Sequence, residues 1–139
     1  QCGKQYAVLN IGDSRAYVFS HGKLTQITKD HTEGQRMLDL GLLSQKELAS
    51  FPARKHLNRY VGLYSEGFLL RADEYALDLE DGMVLLCSDG VSDALSHLEM
   101  EAILRTEPDC KKAGEQIICK TAMAPNADNA TVMLIPIRG

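Results

Sequence analysis

Four aspartates stand where a polar residue meets the end of an apolar run. Asp89 follows the apolar run 83–87 in Cys87-Ser88-Asp89-Gly90, and Asp128 lies in Asn126-Ala127-Asp128-Asn129, just before the β-branched stretch 130–137. Asp13 sits in Gly12-Asp13-Ser14 between two apolar stretches, and Asp93 falls four residues after Asp89. If a helix starts at Gly90, that spacing puts Asp93 on its first turn, facing the space that Asp89 faces. Carboxylates gathered this way need a counter-charge, since two of them about 4 Å apart repel by about 4 kcal/mol at an effective dielectric of about 20. Aspartate oxygens are hard ligands and suit Mg²⁺ or Mn²⁺ rather than zinc. The same residues also have a plain structural reading: Asp-Gly and Asp-Asn are turn dipeptides, and an Asp before a helix is an N-cap. Asp13 serves equally as a turn former and Asp93 as a helix-surface charge. Spacing alone does not bring the four together.

The elements that must position these residues are legible in outline. Apolar stretches over 6–11, 16–19 and 24–27 are separated by Gly12-Asp13-Ser14 and by Ser20-His21-Gly22-Lys23, which predicts an antiparallel three-strand meander. A helix is expected over 33–40 with Gly41 as its stop, and Ser44-Gln45-Lys46-Glu47 is a capping box that starts a short second helix, ended by Phe51-Pro52. A short strand over 57–61 and a long one over 68–79, broken near Asp73-Glu74, come next. Met83-Val84-Leu85-Leu86-Cys87 has the unbroken apolar run of a strand buried on both faces. A helix over 91–95, a second capping box at Ser96-His97-Leu98-Glu99 opening a helix over 98–105, a helix over 109–123 with Ala113, Ile117 and Ile118 inward, and a closing strand over 130–137 complete the pass. Six or seven strands, mainly in hairpins, with helices between them make an α+β pattern of sheet-packed layers.

The chain has 139 residues, 45% hydrophobic and 24% charged, which fits one domain spanning 1–139 with a core of its own. A formal net charge of −4 gives no basic excess for nucleic acid. Arg54, Lys55 and Arg59 form the one loose basic cluster, read as a solvated face. No stretch approaches the ~20 apolar residues of a membrane span. The four cysteines, Cys2, Cys87, Cys110 and Cys119, lack C-x-x-C spacing, and Cys87 reads as a buried reduced thiol, which points to a reducing, cytoplasmic compartment.

Longer motifs add a resemblance. Asn10-Ile11-Gly12-Asp13-Ser14-Arg15-Ala16-Tyr17 followed by Leu24-Thr25-Gln26-Ile27-Thr28-Lys29-Asp30-His31, then Cys87-Ser88-Asp89-Gly90-Val91-Ser92-Asp93 and Asp128-Asn129-Ala130-Thr131-Val132, resemble the protein phosphatase 2C family of metal-dependent Ser/Thr phosphatases. Gly41-Leu42-Leu43-Ser44 through Pro52 and Leu57-Asn58-Arg59-Tyr60-Val61-Gly62 fit its bacterial members. The motifs stand in the family's order over nearly the whole chain. The resemblance implies a β-sandwich of two antiparallel sheets flanked by helices, here incomplete at the N-terminus. It implies Asp89 and Asp128 as ligands of a binuclear Mn²⁺ or Mg²⁺ centre, with Asp13 and Asp93 joining Asp89 at an additional metal site, so two or three ions in the intact site. It implies hydrolysis of phosphoserine and phosphothreonine in phosphoprotein substrates, with region 41–62 as a variable flap beside the site.

The family's N-terminal motifs have no counterpart: the arginine that grips the phosphate, a nearby acid, and the Asp-Gly pair that bridges two metals. No catalytic residue is assigned, and no substrate-binding residue. His31 is expected to order a loop and Arg15 to pair with an acid or pack along a strand. The expectation is a C-terminal portion of a phosphatase, trimmed or cleaved before Gln1 and inactive by itself. Its exposed sheet edges imply self-association, a partner chain or a missing N-terminal segment. The alternative is a phosphatase-like fold used as a non-catalytic binding or regulatory module.

Overall fold

The unbroken apolar run 83–87 becomes the central strand of the molecule. The computed structural model describes residues 5–63, 70–125 and 127–137. In chain order these form β1 (Gln5–Asn10), β2 (Arg15–Ser20), β3 (Lys23–Gln26), α1 (Glu33–Asp39), α2 (Gln45–Leu48), β4 (Asp73–Asp78), β5 (Gly82–Cys87), α3 (Asp89–Ala94), α4 (His97–Thr106), α5 (Cys110–Ala122) and β6 (Val132–Ile137). β5 lies between β2 and β6 in a four-stranded antiparallel sheet of order β3-β2-β5-β6. Alternate residues of β5 serve opposite faces. Met83, Leu85 and Cys87 join a core with Val91, Met100, Ile103, Ala113 and Ile117 of α3–α5. Val84 and Leu86 join a second core with Leu77 of β4 and Tyr6 and Val8 of β1. The layers are helices, a four-stranded sheet and a two-stranded sheet. Fully burying a side chain such as Leu85 contributes about 1.5–3 kcal/mol.

Local signals set the helix starts. Ser44 with Glu47 and Ser96 with Glu99 each form both reciprocal hydrogen bonds of a capping box, at the heads of α2 and α4. Ala113 and Ile117 are buried on α5, as their spacing predicts, and Ile118 packs partly buried beside them. Cys87 is buried, and burial pushes its thiol up to about 11.

Three expectations are corrected. β1 does not form a meander with β2: it pairs with β4 in the separate two-stranded sheet, in register from Gln5 opposite Asp78 to Asn10 opposite Asp73. The turn after Asn10 therefore carries the chain from one layer to the other. Only β2 and β3 form the expected hairpin, through His21 and Gly22, both at positive φ as a two-residue turn requires. The strand expected over 57–61 is reduced to a single bridge, Leu57 to Thr32. The long strand expected over 68–79 starts only at Asp73; residues 68 and 69 lie outside the described residues. Among the described residues there are six strands and five helices. No helix among them is long and apolar enough to cross a membrane.

Candidate metal centre

β5 and β6 pair in register to their ends, with Cys87 opposite Val132, so the two aspartate turns that follow and precede them arrive together. The Ser88 N–H donates to the Thr131 carbonyl at 3.0 Å, and the Thr131 N–H donates to Ser88 Oγ at 3.0 Å. Gly90, in the first turn of α3, approaches the backbone of Asn129 so closely that a Cβ would meet its carbonyl oxygen at 2.3 Å. Asp89 and Asp128 each turn one carboxylate oxygen onto the next residue's N–H, at 2.8 and 2.7 Å, and both residues are exposed.

Asp13 reaches the same region from the β1–β2 turn. Asp13, Asp89 and Asp93 line one pocket of about 350 Å³ with Arg15, Asp30 and Lys55. Asp128 is not among its lining residues; it stands exposed on the neighbouring turn. Partial burial, then the negative charge of Asp89, pushes the Asp13 carboxyl above its usual range, with Asp30 and Asp93 adding smaller contributions. The part of the rise that comes from Asp89, Asp30 and Asp93 is the repulsion expected of converging carboxylates. Arg15 holds Asp30 in a two-pronged ion pair, Nε to Oδ1 at 2.9 Å and Nη2 to Oδ2 at 2.7 Å, as expected for an arginine pairing with an acid. His31, buried, orders the Asp13 turn by accepting from the Gly12 N–H.

Lys55, read from sequence as part of a solvated face, is exposed and places its Nζ 2.5 Å from Asp93 Oδ2. Arg59 of the same cluster binds Asp73, and Arg54 lines the pocket. Sequence spacing carried no sign of these partners, which lie 38 and 14 residues away.

Among the described residues, no three His, Cys, Asp or Glu side chains stand in a group able to hold an ion by themselves. The donors present fit part of a shell. Mg²⁺ takes one or two carboxylates and fills its remaining positions with water and phosphate oxygens. The Lys55 ammonium is paired with Asp93 at the wall of this pocket.

No family model matches the chain. It is 29% identical over 132 residues to the serine/threonine phosphatase stp of Listeria welshimeri, covering 94% of this chain and 51% of the relative. It is 33% identical over 136 residues to the serine/threonine protein phosphatase PstP of Mycobacterium tuberculosis, covering 97% of this chain and 26% of the relative. The chain thus spans about half the length of the Listeria relative and about a quarter of the mycobacterial one. The crystal structure of the Mycobacterium tuberculosis phosphatase PstP/Ppp superposes with a TM-score of 0.85 at 29% identity, over 100% of this chain and 57% of that one. A PstP catalytic domain solved with two manganese ions superposes with a TM-score of 0.73 at 25% identity, over 99% of this chain and 56% of that one.

Proposed function

We propose that this chain, a homologue of the bacterial serine/threonine phosphatases of the phosphatase 2C type, supplies one side of a Mn²⁺- or Mg²⁺-dependent site that hydrolyses phosphoserine and phosphothreonine in proteins. Asp89 and Asp128 are the principal ligands, with Asp13 and Asp93 as companions, and residues 1–139 act as one phosphatase 2C-like unit. One observation carries the reading: Asp13, Asp89 and Asp93 line a common pocket, while the Ser88–Thr131 hydrogen bonds hold the Asp128 turn against the Asp89 turn.

When bound, divalent ions supply Lewis-acid chemistry: they acidify water and offset the charge of the phosphoryl oxygens. The residues of this chain do the holding. The side-by-side turns fix the separation of Asp89 and Asp128, and the β1–β2 turn brings in Asp13. Arg15 keeps Asp30 engaged, so its charge is offset at the pocket wall. In the net reaction water adds to phosphorus, the ester P–O bond breaks, and the seryl or threonyl oxygen leaves as a hydroxyl. Phosphoprotein is the substrate, and the chain by itself is expected to turn over little of it, because its carboxylates complete only part of a metal shell.

Calorimetric titration with Mn²⁺ tests the reading. Binding by the wild-type chain that is lost in Asp89→Asn and Asp128→Asn supports it; a wild-type chain that takes up no Mn²⁺ sinks it. A phosphopeptide assay of the isolated chain with Mn²⁺ tests the second point, and robust turnover would overturn the expectation of low activity.

A further inference from the structure

We infer that His31 is a positioning residue for Asp13, acting through the Gly12 peptide and held in place by Asp73 and Arg59. The inference deepens the metal-site reading and rests on it.

Both backbone polar groups of Gly12 end on His31. The Gly12 N–H donates to His31 Nδ1 at 3.0 Å, and the His31 N–H donates to the Gly12 carbonyl at 2.9 Å. Gly12 has φ +108°, a conformation that side-chain-bearing residues rarely adopt. The turn that presents Asp13 is therefore clamped mainly by a residue 19 positions further along the chain, with Asn10 Nδ2 also reaching the Gly12 carbonyl at 3.5 Å.

The clamp fixes the tautomer. A backbone N–H can only donate, so Nδ1 must carry a lone pair and Nε2 the proton. Nε2 donates to Asp73 Oδ2 at 3.1 Å. Arg59 grips the same carboxylate, Nη1 to Oδ1 at 2.7 Å and Nη2 to Oδ2 at 3.2 Å. The β1–β4 pairing sets Asp73 opposite Asn10, two residues before Gly12, which is why a strand distant in sequence can serve this turn. His31 itself is 3% exposed, and its carbonyl accepts from the Asn58 N–H. The line from Arg59 through Asp73 and His31 to Gly12 thus joins region 57–59 to the turn that presents Asp13. Partners one layer out from metal ligands orient them in this way, and their loss typically weakens metal binding by about 10–100-fold.

The test is Mn²⁺ affinity by calorimetry on the full chain, with thermal melts alongside. His31→Ala is expected to weaken Mn²⁺ binding by about tenfold or more. His31→Asn, whose Oδ1 can stand where Nδ1 stood, is expected to restore most of it and to keep the Gly12 amide proton near its wild-type NMR position. Ser96→Ala, which weakens the α4 cap away from the pocket, is the stability control: its melting point falls and its Mn²⁺ affinity stays. Adding His31→Ala to Asp13→Asn is expected to cost nothing further. If His31→Ala does not fold, Arg59→Met takes its place, with an expected smaller loss of affinity. Unchanged binding in the folded His31→Ala or in Arg59→Met overturns the inference, as does failure of His31→Asn to restore it. A wild-type chain that binds no Mn²⁺ overturns both this and the metal-site reading.

Discussion

Gly90 of α3 and Asn129 of the loop before β6 are in backbone contact, and the contact leaves no room for a side chain. A Cβ on Gly90 would stand 2.3 Å from the Asn129 carbonyl oxygen and 3.0 Å from its carbonyl carbon. The obstacle is main chain, so no rotamer relieves it. Gly90→Ala is expected to destabilise the chain by about 1–3 kcal/mol, the usual cost of overpacking. It is also expected to force apart the turns of Asp89 and Asp128 and so weaken Mn²⁺ binding. Urea unfolding and Mn²⁺ titration read the two effects; wild-type behaviour in both would refute the close-approach argument.

Arg15 and Asp30 make two charge-assisted hydrogen bonds at the pocket wall, with side chains only 28% and 15% exposed. Hydrogen bonds to charged groups contribute about 1.5–3 kcal/mol. Arg15→Met is expected to cost stability in that range, and the Arg15→Met/Asp30→Asn double variant little more than either single one. Denaturant midpoints for the four proteins close the cycle. Additive losses would show that the pair is not coupled.

Much of this arrangement was legible in the sequence, and the division has a physical cause. Ser96 and Glu99 announce α4 because the reciprocal hydrogen bonds of a capping box are made within four residues. The run 83–87 announces a doubly buried strand because every residue in it is apolar. The partner of β1 was not legible: its apolar run announces a strand but not its neighbour, and β4 supplies the pairing from more than sixty residues away. For the same reason Asp13 and Asp89 were nameable as candidates, while Lys55 against Asp93 and Arg59 against Asp73 were not. An ion pair between distant loops leaves no period in the chain.

Asp73 and Asp13 are shifted in opposite directions, and acid titration separates them. Arg59, and then His31, hold the Asp73 carboxyl below its ordinary value of 3.8. Its contribution is present above that value and is lost as pH falls through the depressed one. Burial and Asp89 push Asp13 upward, so its ionisation penalises the folded state once pH rises through the raised value. Without metal at neutral pH, Asp73→Asn is therefore expected to be less stable than wild type and Asp13→Asn more stable. Both differences are expected to close as pH falls below the ordinary carboxylate range. Urea midpoints across that range decide it; an Asp13→Asn chain less stable than wild type at neutral pH would contradict the repulsion.

Lys55 stands at the wall of the aspartate pocket as a tethered cation, its Nζ 2.5 Å from Asp93 Oδ2, with side-chain exposures of 59% and 41%. An ion that uses Asp93 must break this pair. Exposed pairs contribute at most about 1 kcal/mol, so Lys55→Met is expected to tighten Mn²⁺ binding, by no more than about fivefold. The gain should vanish when Asp93→Asn is added, because the competition then has no object. It should also shrink with rising salt, since an exposed pair is screened within a Debye length of about 8 Å at physiological ionic strength. Calorimetry at low and high salt on the wild type, the two single variants and the double measures all three expectations. Weaker binding in Lys55→Met would mean that the ammonium assists the site, and the direction of the argument would reverse.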